Sequence, residues 1–288
     1  MEHSLTSDQL TVTIKTQGAE INSVKNKNGV EFIWEADKNV WPRHAPVLFP
    51  IVGRLKNDSY TFNGSSYKMS QHGFARDREF VCIHDEADKL IFELKSDEQS
   101  LAVYPFEFVF RIIYRLHGNT LETTYQVKNP GNKTLFFSVG AHPGFRCPLL
   151  PDEKFEDYYL EFEHDTLMQT SLENGLRSAT TKITPLVGKK LFLSAELFNN
   201  DALVFENHQI NHLSLVSSVT GHRISVESVN WPYYGIWSKK GCTSFVCLEP
   251  WFGITDDEES TGELDKKDGI IPLSPHSEFN CSFNLSFH

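Results

Sequence analysis

The segment FEFVFRIIYRLHGNTLETTYQV, residues 106–127, decides the fold class. Apolar side chains occupy every second position from Phe106 to Leu116, with charged residues such as Glu107 between them. A turn at Gly118-Asn119 follows, and the period of two then resumes from Leu121 to Val127. Successive side chains of a strand point to opposite faces, so this pattern predicts a long β-hairpin with one apolar face.

Short apolar or alternating runs recur along the rest of the chain, separated by turn residues. They predict further strands at residues 10–14, 31–34, 59–62, 79–83, 89–94, 133–139, 158–162, 202–205, 212–216, 223–229, 233–237, 244–248 and 278–285. No amphipathic helix of three turns is indicated, and only short helical turns are expected at 98–104 and 195–199.

Many short strands with regular turns are typical of an all-β sandwich or barrel. No linker rich in proline, glycine or serine divides the chain, and the polar stretch 256–267 is interpreted as a surface loop because apolar segments flank it. A single all-β domain over residues 1–288 is therefore expected, in keeping with the length that such domains reach.

The charge balance limits the classes of partner. The 288 residues carry a formal net charge of −11, from 38 acidic and 27 basic residues. Nucleic acids and anionic membranes need a basic surface, so neither is an expected partner. No run of apolar residues reaches the length of a membrane span.

The five cysteines do not suggest a disulfide framework, because their number is odd and their positions are scattered. Cys242 and Cys247 are the only close pair, and a spacing of five does not match zinc ligands. No basic and apolar leader is found at residues 1–10, so a cytoplasmic location is expected.

Sequence motifs for nucleotide binding, zinc proteolysis and serine esterase chemistry are lacking. Titratable residues instead stand beside glycine, proline and aromatic residues at four predicted strand ends. These segments are Val47–Arg54 (VLFPIVGR), Gln71–Asp77 (QHGFARD), Ser138–Phe145 (SVGAHPGF) and Leu248–Ile254 (LEPWFGI). Strand ends and the loops after them are where a rigid sheet presents side chains to a ligand.

The ordered set QHGFAR, GAHPGF and LEPW resembles the aldose 1-epimerase (galactose mutarotase) family, and within it the LacX-like branch. The resemblance extends from about Leu10 to Phe287. It implies a large antiparallel β-sandwich, often called a supersandwich. It also implies an isomerase that interconverts the α and β anomers of an aldose without a cofactor or metal, as a monomer or homodimer.

The resemblance assigns roles by position. Glu249 matches the general base that takes the proton of the anomeric hydroxyl, and His142 matches the general acid that protonates the ring oxygen. A carboxylate and an imidazole suit this proton exchange near neutral pH.

Further positions match substrate contacts. His72, Arg54 and Asp201 match residues that hold the sugar, and Gln71 and Arg76 match contacts of the branch that acts on hexose 6-phosphates. Whether Arg43 or Arg54 is the relevant arginine stays open. Phe74, Trp237 and Trp251 are candidates for stacking on the apolar face of a pyranose.

Three functions stay open from the sequence. The first is a mutarotase for a galactose- or glucose-type sugar, and the second is a hexose-6-phosphate mutarotase with a local cluster of arginines. The third is a carbohydrate-binding or sugar-sensing protein without turnover. An enzyme is expected to hold Glu249 and His142 on opposite sides of one sugar-sized pocket.

Overall fold

The chain is described over all 288 residues by a computed structural model, and antiparallel strands dominate it. In chain order the strands are β1 (Glu2–Thr6), β2 (Leu10–Lys15), β3 (Glu20–Asn26), β4 (Val47–Leu48), β5 (Ser59–Phe62), β6 (Ser65–Lys68), β7 (Val81–Glu86), β8 (Lys89–Lys95), β9 (Val109–His117), β10 (Thr120–Lys128), β11 (Leu135–Phe137), β12 (Val139–Ala141), β13 (Gly144–Arg146), β14 (Tyr158–Phe162), β15 (Leu167–Glu173), β16 (Leu176–Thr184), β17 (Lys190–Phe192), β18 (Leu203–Phe205), β19 (His212–Ser217), β20 (Arg223–Glu227), β21 (Tyr233–Trp237), β22 (Phe245–Phe252), β23 (Ile271–Leu273) and β24 (Glu278–Phe287).

The predicted hairpin is formed by β9 and β10, which pair from Thr120 opposite His117 to Lys128 opposite Val109. Every second residue of both strands is buried, as the alternation requires. The hairpin lies within a nine-stranded antiparallel sheet of order β17-β14-β19-β20-β24-β10-β9-β8-β7.

A second large sheet, of eight antiparallel strands, runs in the order β16-β15-β18-β21-β22-β12-β4, with β13 also paired to β22. One cluster of 64 buried side chains includes residues of both sheets, such as Phe110 of β9 and Leu248 of β22. The predicted all-β fold with large antiparallel sheets is therefore confirmed.

Smaller elements complete the fold. Strands β1, β2 and β3 form a three-stranded sheet, and two further pairs are β5-β6 and β11-β23. The expected helical turn near residue 98 is the single α-helix, α1 (Glu98–Val103), which Asp97 caps by accepting from the backbone N–H of Ser100. No helix has the length and apolar character that a membrane crossing requires.

Two local predictions were wrong. Residues 31–34 form only isolated bridges, because Glu31 uses its carboxylate to accept from the backbone N–H groups of Val24 and Ile33. Residues 195–199 form turns without a helix.

Candidate active site

A break in the strand ladder brings His142 beside strand β22 of the eight-stranded sheet. Strand β12 pairs with the end of β22, and β13 pairs with its beginning. His142 and Pro143 lie between the two, where proline has no N–H to continue the ladder. The carbonyl of Pro143 accepts from the backbone N–H of Leu248, so this break lies beside Glu249.

His142 and Glu249 form a buried pair, with Nε2 of the imidazole 3.2 Å from Oε2 of the carboxyl group. The two residues are 8% and 1% exposed. Glu249 Oε2 and His142 Nδ1 are both buried without an aligned hydrogen bond. Unpaired buried polar groups are costly and cluster where function requires them.

The pair lies side by side, so the expectation of opposite sides was wrong. The physical reason lies in the sheet. The hydrogen bond from the backbone N–H of Leu248 to the carbonyl of Pro143 places His142 beside Glu249 on the neighbouring strand.

Burial disfavours the charged form of each member of the pair. It lowers the pKa of His142 from its usual 6.5 to about 3. Burial also raises the pKa of Glu249 well above 4.5, an effect that the indole of Trp251 opposes and the charge of Asp201 increases. Because the two groups touch, their protons titrate as one coupled system.

All seven residues predicted for the site line one cavity of about 470 Å³. They are Arg54, Gln71, His72, Arg76, His142, Asp201 and Glu249. The volume lies in the range of small-molecule sites.

His72 is a neutral hydrogen-bond donor within this cavity. Its Nδ1 accepts from the backbone N–H of Gly53 at 3.1 Å, so the neutral ring carries its hydrogen on Nε2. Burial, followed by charge repulsion from His142, Arg76 and Arg43, holds the pKa of His72 well below 6.5. The residue has a left-handed backbone, φ 68°, in the tight turn that points it inward.

Comparison with known proteins identifies the family of the chain. The family model described as Aldose 1-epimerase matches residues 1–263. The chain belongs to the aldose 1-epimerase family. The chromosomal protein LacX of Lactococcus lactis subsp. lactis is 32% identical over 297 residues, which cover 99% of each chain.

Two solved structures of this family type share the fold. A galactose mutarotase related enzyme from Lactobacillus acidophilus has a TM-score of 0.96 and 38% identity, covering 100% of this chain and 97% of that one. A galactose mutarotase-like protein from Lactobacillus casei has a TM-score of 0.93 and 29% identity, with both chains covered fully.

The three arginines at or near the cavity differ in how many of their N–H groups already have protein partners. Arg54 gives Nε and Nη2 to the two carboxylate oxygens of Asp58, at 3.0 and 3.1 Å, and Nη1 to the carbonyl of Asn174. Arg43 does not line the cavity and donates to Asp77 at 2.9 Å. Arg76 lines the cavity with an unpartnered Nε, and burial together with the charge of Arg43 lowers its pKa to about 10.

Gln71 and Asp201 form exposed parts of the cavity rim. The carbonyl of Gln71 accepts from Arg76 Nη2 at 2.7 Å, which leaves its side-chain amide free of protein partners. Asp201 has a left-handed backbone, φ 77°, and its carboxylate accepts from the N–H of Ala202.

Trp41 is a site residue that the sequence analysis did not identify. Its ring stacks on the imidazole of His142 with a centroid distance of 5.1 Å, and it also stacks on Phe245 at 5.3 Å. Trp237 meets the imidazole edge-on at 5.8 Å. Within the segment WPRH at 41–44 the sequence points only to Arg43, because no local pattern indicates a contact with a residue about a hundred positions away.

Buried Glu20 holds the loop that carries Trp41. Its Oε1 accepts from the backbone N–H groups of His44 and Ala45, at 2.7 and 2.8 Å. The indole of Trp34 also donates to the carbonyl of Trp41 at 2.9 Å. The loop is therefore fixed from both ends.

The predicted aromatic walls are partly correct. Trp237 and Trp251 line the cavity. The indole of Trp251 lies against Gly140 and Gly235 on the neighbouring strands, where a larger side chain would collide with it. Phe74 does not line the cavity, and the prediction was wrong. Its ring packs against Phe49 and Tyr104 in the core.

Proposed function

We propose that this chain is an aldose mutarotase acting on a galactose- or glucose-type sugar, with Glu249 and His142 as the acid–base pair. The observation that carries the proposal is their contact of 3.2 Å at the buried end of a sugar-sized cavity. The whole chain would act as one domain, since a single cluster of buried side chains runs from Leu5 to Phe287.

The reaction needs only proton transfers. Glu249 takes the proton of the C1 hydroxyl while His142 gives a proton to the ring oxygen, and the C1–O5 bond breaks to leave an aldehyde. Rotation about C1–C2 presents the other face of the aldehyde. The O5 hydroxyl then attacks that face, His142 recovers its proton, and Glu249 returns one to O1.

The pair begins each turnover with one proton in total. In the empty cavity, burial favours the arrangement in which both groups are neutral, with the proton on Glu249. Hydrogen bonds from sugar hydroxyls to the carboxylate favour the alternative, in which the proton has crossed to His142. Both arrangements have the same proton count, so binding alone interconverts them.

The other lining residues would hold the sugar. His72 Nε2 donates to a hydroxyl, while Gln71 and Asp201 at the rim provide acceptors. Trp237 and Trp251 supply apolar surface for the C–H face of a pyranose. Arg54 contributes only the N–H groups that Asp58 and Asn174 leave free.

A hexose 6-phosphate is the second candidate substrate, and Arg76 favours it. The side chain of Arg76 is 16% exposed, and its Nε lies 3.9 Å from Asp77 Oδ2, which is long for an ion pair. Burial and repulsion from Arg43 destabilise the charge of Arg76, and a bound phosphate would offset both effects.

A binding protein without turnover is the third candidate. It gains nothing from the buried His142 Nδ1 and Glu249 Oε2, which lack hydrogen-bond partners and cost stability unless a reaction uses them. We therefore favour the enzyme.

Anomer exchange measured by saturation-transfer NMR tests the proposal, with galactose, glucose and their 6-phosphates offered in turn. We expect acceleration of at least one sugar. Arg76→Gln should raise KM strongly if the substrate is phosphorylated and weakly if it is not. A folded protein that binds sugar but accelerates none of the four would contradict the proposal and favour the sensor.

A further inference from the structure

A second group of ligand-type side chains lies away from the cavity, where the first strand of the chain meets the edge of the nine-stranded sheet. His3 comes from β1, and Cys82 and Asp85 come from β7. Each has one potential ligand atom within 4.8 Å of the other two. None of the three lines the active-site cavity.

A β-bulge in β7 brings the cysteine and the aspartate to the same face. Residues three apart on a regular strand point to opposite faces. In β7 the register shifts between Cys82 and His84, so Cys82 lies opposite Phe92 and Asp85 opposite Leu90. Phe92 and Leu90 share the buried face of β8, and bulges of this kind re-aim side chains.

The contacts within this group leave donor atoms available. His3 Nδ1 lies 2.7 Å from Asp85 Oδ2, whereas His3 Nε2 is buried without a partner. The thiol of Cys82 donates to the carbonyl oxygen of His84, at 3.2 Å. The imidazole of His3 rests edge-on against Phe92 at 5.5 Å, which limits its rotation.

We propose that His3, Cys82 and Asp85 form a binding site for a divalent cation of the zinc type. Thiolate, imidazole and carboxylate together are ligands that Zn²⁺ takes, whereas Ca²⁺ and Mg²⁺ prefer oxygen alone. A thiolate and a carboxylate also neutralise the two charges of the ion. Binding releases the thiol proton, and any proton on the imidazole, to solvent.

Solvent would complete the coordination. Asp85 has a side chain that is 57% exposed, so the ion would reach the site from that side and keep water in the fourth position. The side chains must adjust, since tetrahedral Zn²⁺ requires ligands at about 2.0–2.3 Å.

The bound ion would tie two sheets together. Strand β1 belongs to the three-stranded sheet and β7 is the edge of the nine-stranded one, and they already meet where Thr6 N–H donates to the carbonyl of Ala87 at 2.8 Å. A ligand that binds only the folded chain raises its melting temperature.

A second trio competes for the same ion. His142, Cys247 and Glu249 also have ligand atoms within 4.8 Å of one another. There the histidine and the carboxyl group already contact each other, and Cys247 is not part of the cavity wall. The experiment must therefore separate the two locations.

Cobalt titration of the reduced, tag-free full-length chain makes this distinction, because thiolate-bound Co²⁺ has a charge-transfer band that Zn²⁺ removes. We expect one Co²⁺ per chain, with the band lost in Cys82→Ser and affinity reduced at least roughly 10- to 100-fold in His3→Gln. Cys242→Ser is the matched control and should keep the band. Cys242 is also a half-buried free cysteine, and its thiol is hydrogen-bonded to the hydroxyl of Ser244.

Melting temperature and anomer exchange complete the test. Zn²⁺ should raise the melting temperature of the parent chain and of Cys242→Ser, but not that of Cys82→Ser, while anomer exchange stays unchanged in Cys82→Ser. A band that survives in Cys82→Ser and disappears in Cys247→Ser would move the ion to the cavity and overturn the proposal. The absence of any band from the folded parent chain would also overturn it.

Discussion

The two ends of the cavity treat charged groups in opposite ways. At the buried end, His142 and Glu249 are nearly inaccessible and keep polar atoms without hydrogen-bond partners. At the rim, Arg54 is 41% exposed and its guanidinium is paired with Asp58 through two nitrogen–oxygen contacts. The buried end holds polar atoms without hydrogen-bond partners, whereas the arginine at the rim is already paired.

The same contrast separates two arginines of the cavity. Arg76 is like the residues of the buried end, since its Nε lacks a hydrogen-bond partner, whereas Arg54 belongs to an exposed ion pair. Exposed ion pairs contribute little to stability or binding because water and salt screen them. A sequence motif that contains an arginine cannot distinguish the two situations.

The largest expected effect is at the buried end. His142→Asn removes the proton donor while keeping a polar side chain, and it should lower kcat by roughly 100- to 10,000-fold. Saturation-transfer NMR of the preferred sugar measures the loss, and sugar binding by calorimetry should persist. If kcat stays within a few-fold of the parent chain, the proton donor is another group.

The pH dependence of kcat/KM follows from burial of the pair. In acid, the pair leaves its one-proton form only when a second proton binds His142. Burial lowers the pKa of His142 to about 3, so the one-proton form persists well below the usual histidine pKa of 6.5. The rate above the spontaneous reaction should therefore hold as the pH falls from about 6.5 to 4.5. An acid limb with a midpoint inside that interval, in a chain still folded by circular dichroism, would contradict the assignment.

Trp41 tests whether the imidazole needs its aromatic support. Trp41→Leu removes the stack on His142, and kcat should fall roughly 2- to 10-fold, in line with the energy of one aromatic pair. Trp41→Phe retains a stacking ring and should recover most of the rate. Equal losses in the two variants would show that stacking is not what matters.

The smallest effect is expected at the rim. Arg54→Ala should raise KM by at most about fivefold, the limit for an exposed charged contact, and leave kcat unchanged. Steady-state kinetics of anomer exchange decides the point. A large fall in kcat would place Arg54 with the buried end and remove the contrast between the two regions.

Most strands were predictable because their apolar residues alternate, as in β9 and β10. The hairpin of β15 and β16 was missed, since Leu176–Thr184 is a largely exposed edge strand with polar residues on both faces. In the site, residues in family-like motifs were found together, whereas Trp41 and Thr255 were not. Thr255 joins two cavity walls through bonds to Arg54 and Gly175, and such long-range pairing leaves no local pattern.

The most direct test is anomer exchange by Glu249→Gln, which keeps the shape of the side chain and removes its carboxyl group. The proposed pair predicts sugar binding close to that of the parent chain and a rate reduced by roughly 100- to 10,000-fold. A near-normal rate in a folded, sugar-binding Glu249→Gln chain would contradict the assignment of Glu249 as the base.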